Sequence, residues 1–136
     1  MDIKKFSLAT LAGAVAIFFL AYLFYEPLLG SFFEAHGTNP TAREMPLMLL
    51  LVVASLIWAA LYTLIFMRWA GISTFMGGLK AGAIIGGLIG LSMNLEFFAL
   101  NTNMDYLSVI VDTIVWVLRF GLAGGAIGWV LGRGNS

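Results

Sequence analysis

The sequence contains four apolar stretches, each long enough to cross a lipid bilayer. We predict helices at about residues 7–29, 45–69, 74–100 and 106–131. A hydrocarbon core of ~30 Å is crossed by ~20 helical residues, and every stretch exceeds that length. Because lipid offers no hydrogen-bond partners, each segment must satisfy its backbone polar groups within its own helix. The predicted fold class is therefore all-α: one transmembrane domain over residues 1–136, forming an integral membrane four-helix bundle of antiparallel, up-down topology. Because the connections between the spans are short, consecutive helices are expected to be neighbours.

The composition supports lipid surroundings. The chain is 61% hydrophobic and 10% charged, whereas a soluble domain carries about 25% charged residues. The net charge is zero and no basic patch accompanies the aromatic residues, so we expect no nucleic-acid partner. The absence of cysteine excludes thiolate chemistry, and the lone His36 cannot form a metal site without carboxylate help. We predict no metal and no cofactor.

The distribution of basic residues predicts the orientation. Lys4, Lys5, Arg68 and Arg133 lie on one side of the four crossings, and Arg43 lies on the other. Since cytoplasmic loops carry the excess of Lys and Arg, both termini are expected in the cytoplasm. The first apolar run is longer than the core of a signal peptide, which predicts an uncleaved first helix.

Glycines at regular spacing predict close packing between the third and fourth helices. Small residues let membrane helices approach each other closely. The third helix carries its glycines every four residues, and the fourth has a second set. The residues expected at this contact are Gly78, Gly82, Gly86, Gly90, Gly121, Gly125 and Gly128, with Gly124 and Gly132 in the same set. One set could instead contact another copy of the protein, and this alternative stays open.

The opposite face of the fourth helix is polar. Asp112 and Arg119 lie within about 20° of each other on the helical wheel, and the glycines lie between roughly 120° and 220° from Asp112. Neither face suits lipid, so we predict that this helix is sandwiched between neighbours. We expect a single four-helix chain to achieve this only in part, which favours a homodimer or a partner membrane protein.

Several charged side chains fall inside the predicted spans, where they are costly and usually pair or face a cavity. The hypothetical polar pocket in the outer half of the membrane comprises Glu26, Tyr62, Glu96, Asp112 and Arg119. Arg119 and Asp112 are ~10.5 Å apart along the axis, so we expect a water or a residue of another helix between them. Glu96 is expected to face the interior and offers Arg119 another partner, while Asn94 lies 200° away from it on the wheel. Tyr62 is expected to offer a donor to a buried carboxylate.

Two functions are consistent with these residues. Common motifs of serine hydrolases, zinc proteases and phosphate loops are absent, so we predict no enzyme. The first interpretation is a structural or accessory membrane protein whose charges set the helix packing. The alternative is a small proton- or ion-coupled transporter that uses the acidic pocket.

The segment Tyr25-Glu26-Pro27-Leu28-Leu29-Gly30 closes the first helix, and glycine-rich third and fourth helices follow it. This combination resembles a bacterial family of small four-helix membrane proteins of unknown function. The resemblance implies the same architecture and a multi-pass location in the bacterial inner (plasma) membrane. It brings no catalytic residue to this chain.

Overall fold

The computed structural model describes residues 3–36, 47–100 and 105–133, and these ranges are helical almost throughout. The helices are α1 (Ile3–Leu23), α2 (Gly30–His36), α3 (Met48–Leu64), α4 (Phe75–Leu100) and α5 (Tyr106–Gly132). Two π-helical segments, Phe24–Leu28 and Ile65–Ala70, extend α1 and α3. No strand occurs in the described ranges, and the four long apolar helices form a bundle. The predicted all-α, four-helix fold is confirmed.

Within the described ranges, four helical segments are long and apolar enough to cross a membrane: Ile3–Leu28, Met48–Ala70, Phe75–Leu100 and Tyr106–Gly132. Their bounds agree with the predicted ones to within a few residues. Large apolar side chains cover the outside of the bundle; Leu49 is 75% exposed, Ile57 65% and Leu88 66%. Soluble proteins rarely expose apolar patches of this extent, so the chain is an integral membrane protein with hydrocarbon around it.

The long helix α5 lies inside the bundle, between α4 on one face and α1 on the other, and α3 packs against α1. Half of the most apolar stretch of α5 is buried, against 17% of that of α4. The prediction that this helix is sandwiched between neighbours is confirmed, and one chain encloses it only in part, as expected, since Leu107, Ile110 and Ile114 are 49%, 56% and 53% exposed. α4 and α5 are antiparallel, since Gly78 near the start of α4 lies against Gly124 near the end of α5.

One predicted adjacency is wrong. The short connections were expected to make every pair of consecutive helices neighbours. α3 and α4 are joined by a few residues, yet among the described residues they do not pack along their lengths. A short connection brings only two helix ends together, whereas the glycine edge of α4 finds a matching surface on α5. The small residues of α1 meet α3 instead, with Gly13 close to Ala59.

Both π-helical segments lie at the ends of spans, and the sequence analysis missed them. Pro27 has no N–H group and therefore cannot donate to the helical ladder. The chain widens around it, and the Leu29 amide donates to the Phe24 carbonyl at 3.0 Å. At the end of the second span, Gly71 takes the left-handed conformation (φ 62°), which glycine adopts without strain, and terminates the helix. The first of these segments carries Tyr25 and Glu26.

Candidate functional site

A polar contact joins the C-terminal end of the first span to the N-terminal half of α5. The Tyr25 hydroxyl, carried by the π-helical segment after α1, donates a hydrogen bond to the Asp112 carboxylate of α5. Both side chains are half-buried. A carboxylate inside a membrane span is costly unless donors compensate for the lost water, and Tyr25 is such a donor. This hydrogen bond therefore links the first span to α5 and offsets part of the free-energy cost of placing the Asp112 carboxylate inside the membrane.

Arg119 lies deeper in the same interface. Its Nε and Nη2 atoms donate to the Ile17 carbonyl of α1 at 3.4 and 3.3 Å. The guanidinium carbon is 5.9 Å from the centroid of the Tyr25 ring and 5.1 Å from that of Phe120, within range of cation–π attraction. Tyr25 thus contacts both Asp112 and Arg119. The prediction that a residue of another helix intervenes between these two charges is confirmed.

An aromatic cluster lies beside Arg119, at the meeting of α1, α3 and α5. Tyr62 is fully buried; its ring stacks on Phe66 at 6.1 Å and meets Phe120 edge-on at 5.3 Å. Trp58 contacts Phe120 at 5.2 Å and Trp116 at 5.7 Å. Within the described ranges, the buried Tyr62 hydroxyl has no hydrogen-bond partner. The expectation that Tyr62 donates to a buried carboxylate is therefore wrong, and the ring serves packing.

A cavity of about 320 Å³ lies between α1 and α3, with Arg119 of α5 in its wall. Its polar lining comprises Tyr25, Glu26, Ser55 and Arg119, and Trp58 forms part of the aromatic wall. Ser55 is buried and Glu26 is exposed. Asp112 is absent from the lining and is separated from the cavity by Tyr25. The structure therefore brings Glu26 and Arg119 to one cavity and holds Asp112 behind its wall.

Glu96 does not join this site. The buried residues of α4 form one edge, Gly78, Gly82, Gly86, Gly90 and Asn94. Asn94 is 5% exposed and its Nδ2 donates to the Gly90 carbonyl at 2.9 Å, whereas Glu96 is exposed. The expectation that Glu96 faces the interior is wrong. The two side chains lie on nearly opposite faces of the helix, and the small-residue edge that packs on α5 takes Asn94 inward with it.

The glycines of α4 lie directly against the backbone and rings of α5. A Cβ atom added at Gly78 would meet the Gly124 carbonyl, and one added at Gly82 would meet the Phe120 carbonyl. At Gly86 it would lie 2.5 Å from the Phe120 Cβ, and at Gly90 it would enter the Trp116 ring. These four positions have no room for any side chain.

The glycines of α5 differ in how closely α4 approaches them. Gly128 faces the Thr74 carbonyl, and a Cβ at Gly125 would lie 2.8 Å from the Phe75 ring. Gly121 is less crowded, since its added Cβ would lie 3.2 Å from the nearest atom, the Ala83 Cβ. Gly124 is the α5 residue that faces both Gly78 and Gly82.

Sequence reasoning missed a further close contact at Gly13 of α1. A Cβ at this position would lie 2.5 Å from the Ile127 Cδ1 of α5 and 3.2 Å from the Ala59 Cβ of α3. The signal for it was present, because Ala9 and Gly13 repeat the four-residue spacing of small residues seen in α4. This contact holds three helices together below the cavity.

No protein-family model, no curated protein and no solved structure matches this chain.

Proposed function

We propose that this integral membrane protein is a non-enzymatic accessory or structural protein of the bacterial inner membrane, which binds a second membrane protein or a second copy of itself through α4. In this proposal both termini are cytoplasmic, as the positions of Lys4, Lys5, Arg68 and Arg133 favour. The observation that carries the proposal is the exposed carboxylate of Glu96 on the outward surface of α4.

The position of Glu96 is costly without a partner. It lies within the span Phe75–Leu100, about 6 Å from the outer end at ~1.5 Å per residue. Charged side chains in membrane spans usually pair with another group or face a cavity, but this one faces outward. α4 is also the least buried of the four spans, so most of its surface is open to a partner. A hydrogen-bond donor on a neighbouring subunit would offset the free-energy cost of the Glu96 carboxylate.

The polar groups between α1 and α5 support a structural role for the remaining charges. Asp112 accepts from Tyr25, and Arg119 donates to the Ile17 carbonyl. These bonds connect two helices at two depths and thereby set their register. Asp112 and Arg119 can therefore be explained as residues that fix the packing of α1 and α5, without a bound ligand.

The test is isolation from native membranes after mild cross-linking. We expect wild-type protein to carry one companion band, and Glu96→Gln to lose most of it because the amide is a weaker acceptor than the carboxylate. Glu26→Gln is the matched control, since Glu26 is an exposed glutamate near the outer end of a different helix. A companion identical to the chain itself indicates a homodimer. Equal recovery from all three proteins, or no companion at all, contradicts the proposal.

The cavity between α1 and α3 favours proton- or ion-coupled transport as a second candidate, because Glu26 and Arg119 both line it. Proton flux into proteoliposomes with an internal pH-sensitive dye distinguishes it. Transport predicts that Glu26→Gln lowers the flux while Glu96→Gln, outside the cavity, leaves it unchanged. Flux equal to that of protein-free vesicles removes this candidate.

A further inference from the structure

The cavity lined by Arg119 opens sideways toward the hydrocarbon. Its rim includes Tyr22 and Met48, which are 60% and 52% exposed, and Leu51, which is 47% exposed. Tyr22 and Leu51 lie inside membrane spans, so the space beside them is occupied by acyl chains when the protein is in a bilayer, whereas Met48 is the first residue of its span. A ligand of this cavity therefore enters from the membrane interior.

The donor in the cavity wall lies near the middle of the bilayer. Arg119 reaches the carbonyl of Ile17, which is near the centre of the 26-residue span Ile3–Leu28. At ~1.5 Å per residue, this carbonyl is roughly 17 Å from the Leu28 end. Phospholipid head groups and ester carbonyls lie at the interface, far from that depth. The guanidinium carries five N–H groups, so it can serve a further acceptor besides the Ile17 carbonyl.

The charges around the cavity select an uncharged ligand. Arg119 and Glu26 carry opposite charges, and both line the cavity. Asp112 does not line it but accepts a hydrogen bond from Tyr25, which does. An anion attracted to Arg119 would be opposed by two carboxylates, and a cation would be opposed by Arg119 itself. A neutral molecule with a carbonyl acceptor meets neither repulsion.

The walls favour a flat ring. Phe18, Tyr22, Tyr25 and Trp58 contribute aromatic surface, and the hydroxyl of Ser55 is a second polar group on the α3 side. The volume of about 320 Å³ is at the low end for ligand pockets and suits one ring with a short part of its tail. We propose that this cavity binds the head group of a membrane-soluble quinone, with Arg119 donating to a ring carbonyl and the isoprenoid tail leaving past Leu51 into the bilayer.

Tryptophan fluorescence tests the proposal, because quinones quench indoles that lie close to them. Purified protein in phospholipid nanodiscs is titrated with a short-chain alkyl benzoquinone. We expect quenching that saturates. Trp58→Phe should remove the saturable part and Trp129→Phe should keep it, since Trp129 is exposed at the other end of the bundle. Quenching that rises linearly without saturation, or equal loss in both variants, overturns the proposal.

Two substitutions at exposed positions distinguish a filled cavity from a folding defect. Ala54 lines the cavity, whereas its neighbour Val53 is exposed and lies outside the lining. Ala54→Phe should fill the space and abolish saturable quenching, and Val53→Phe should leave it as in wild type. Arg119→Gln should weaken binding by about tenfold or more, as expected for loss of a charge-assisted hydrogen bond. Unchanged binding in Ala54→Phe overturns the assignment.

Competing probes distinguish the ligand classes. Laurate supplies an anionic head, and tetraphenylphosphonium supplies an aromatic cation. Neither should displace a radiolabelled benzoquinone at concentrations where an unlabelled naphthoquinone does. Displacement by either charged probe as readily as by the naphthoquinone overturns the choice of a neutral carbonyl ligand.

Discussion

Tyr25 connects the two charged side chains of α5 to α1. Its hydroxyl donates to Asp112, and its ring lies beside the Arg119 guanidinium. The helical wheel of α5 predicted that Asp112 and Arg119 share a face and that something must lie between them. It could not identify Tyr25, because the π-helical turn around Pro27 decides where that side chain points.

Removing the Tyr25 hydroxyl should weaken the bundle. Tyr25→Phe deprives Asp112 of a donor inside a membrane span, and we expect the free energy of unfolding to fall by about 1–2 kcal/mol. Unfolding in mixed micelles of increasing SDS content measures this. Tyr22→Phe is the control, since Tyr22 is exposed about one turn earlier and should change stability little. Equal effects of the two substitutions would argue against the Tyr25–Asp112 contact.

Removing the Tyr62 hydroxyl is expected to have a different effect on stability from removing that of Tyr25. Its hydroxyl is buried, with no hydrogen-bond partner in the described part of the chain, and an unsatisfied buried donor costs about 1–3 kcal/mol. Tyr62→Phe keeps the stacking on Phe66 and the edge-on contact with Phe120. The variant should therefore be as stable as wild type or more stable in the same SDS titration. A loss of about 1.4 kcal/mol or more, about tenfold in the unfolding constant, would show that the hydroxyl is bonded.

The direction of Glu96 shows how an available signal was misread. Asn94 continues the four-residue series from Gly78 to Gly90, so it belongs on the edge that packs. Charge alone favoured burying Glu96, because lipid is a poor solvent for a carboxylate. Packing dominated, since moving α4 to bury Glu96 would forfeit the entire glycine contact with α5.

At the scale of helices, the bounds of the spans could be predicted from the sequence. Which helices pack against each other could be predicted only in part. Apolar length and turn residues are local signals, which is why the ends of α4 and α5 came within one residue of prediction. The neighbour of each helix depends on which surfaces fit together, and that is not a local property. The glycine series correctly paired α4 with α5, but nothing in the short connection before α4 revealed that α3 packs on α1.

The contact of α4 with α5 predicts a difference between two glycines. In Gly82→Ala the new methyl group would meet the Phe120 carbonyl, so the helices must separate at a cost of about 1–3 kcal/mol. In Gly121→Ala the nearest atom is 3.2 Å away, and alanine has a helix propensity up to ~1 kcal/mol better than glycine. SDS unfolding should therefore rank Gly82→Ala well below Gly121→Ala. The reverse order would contradict the register of the two helices.

Among the described helices, α5 is the most buried span because it packs against α4 on one face and α1 on the other. This arrangement leaves α4 with a wide outward surface. It also separates the two proposed sites, the cavity on the α1–α3 side and Glu96 on the α4 side. Binding to a partner and binding of a ligand are therefore expected to respond to different substitutions.

The central claim is that four helices cross a membrane and that the outside of the bundle faces hydrocarbon. Because the chain contains no cysteine, single-cysteine variants can be labelled cleanly with a membrane-impermeant maleimide in sealed vesicles. Lys4→Cys, Arg68→Cys and Arg133→Cys should react from one side, and Leu47→Cys and Tyr106→Cys from the other. Ile57→Cys and Leu88→Cys should react only after SDS is added, although both side chains are exposed on the protein surface. Rapid labelling of Ile57→Cys or Leu88→Cys in intact vesicles, or the two ends of the chain on opposite sides, would contradict the account.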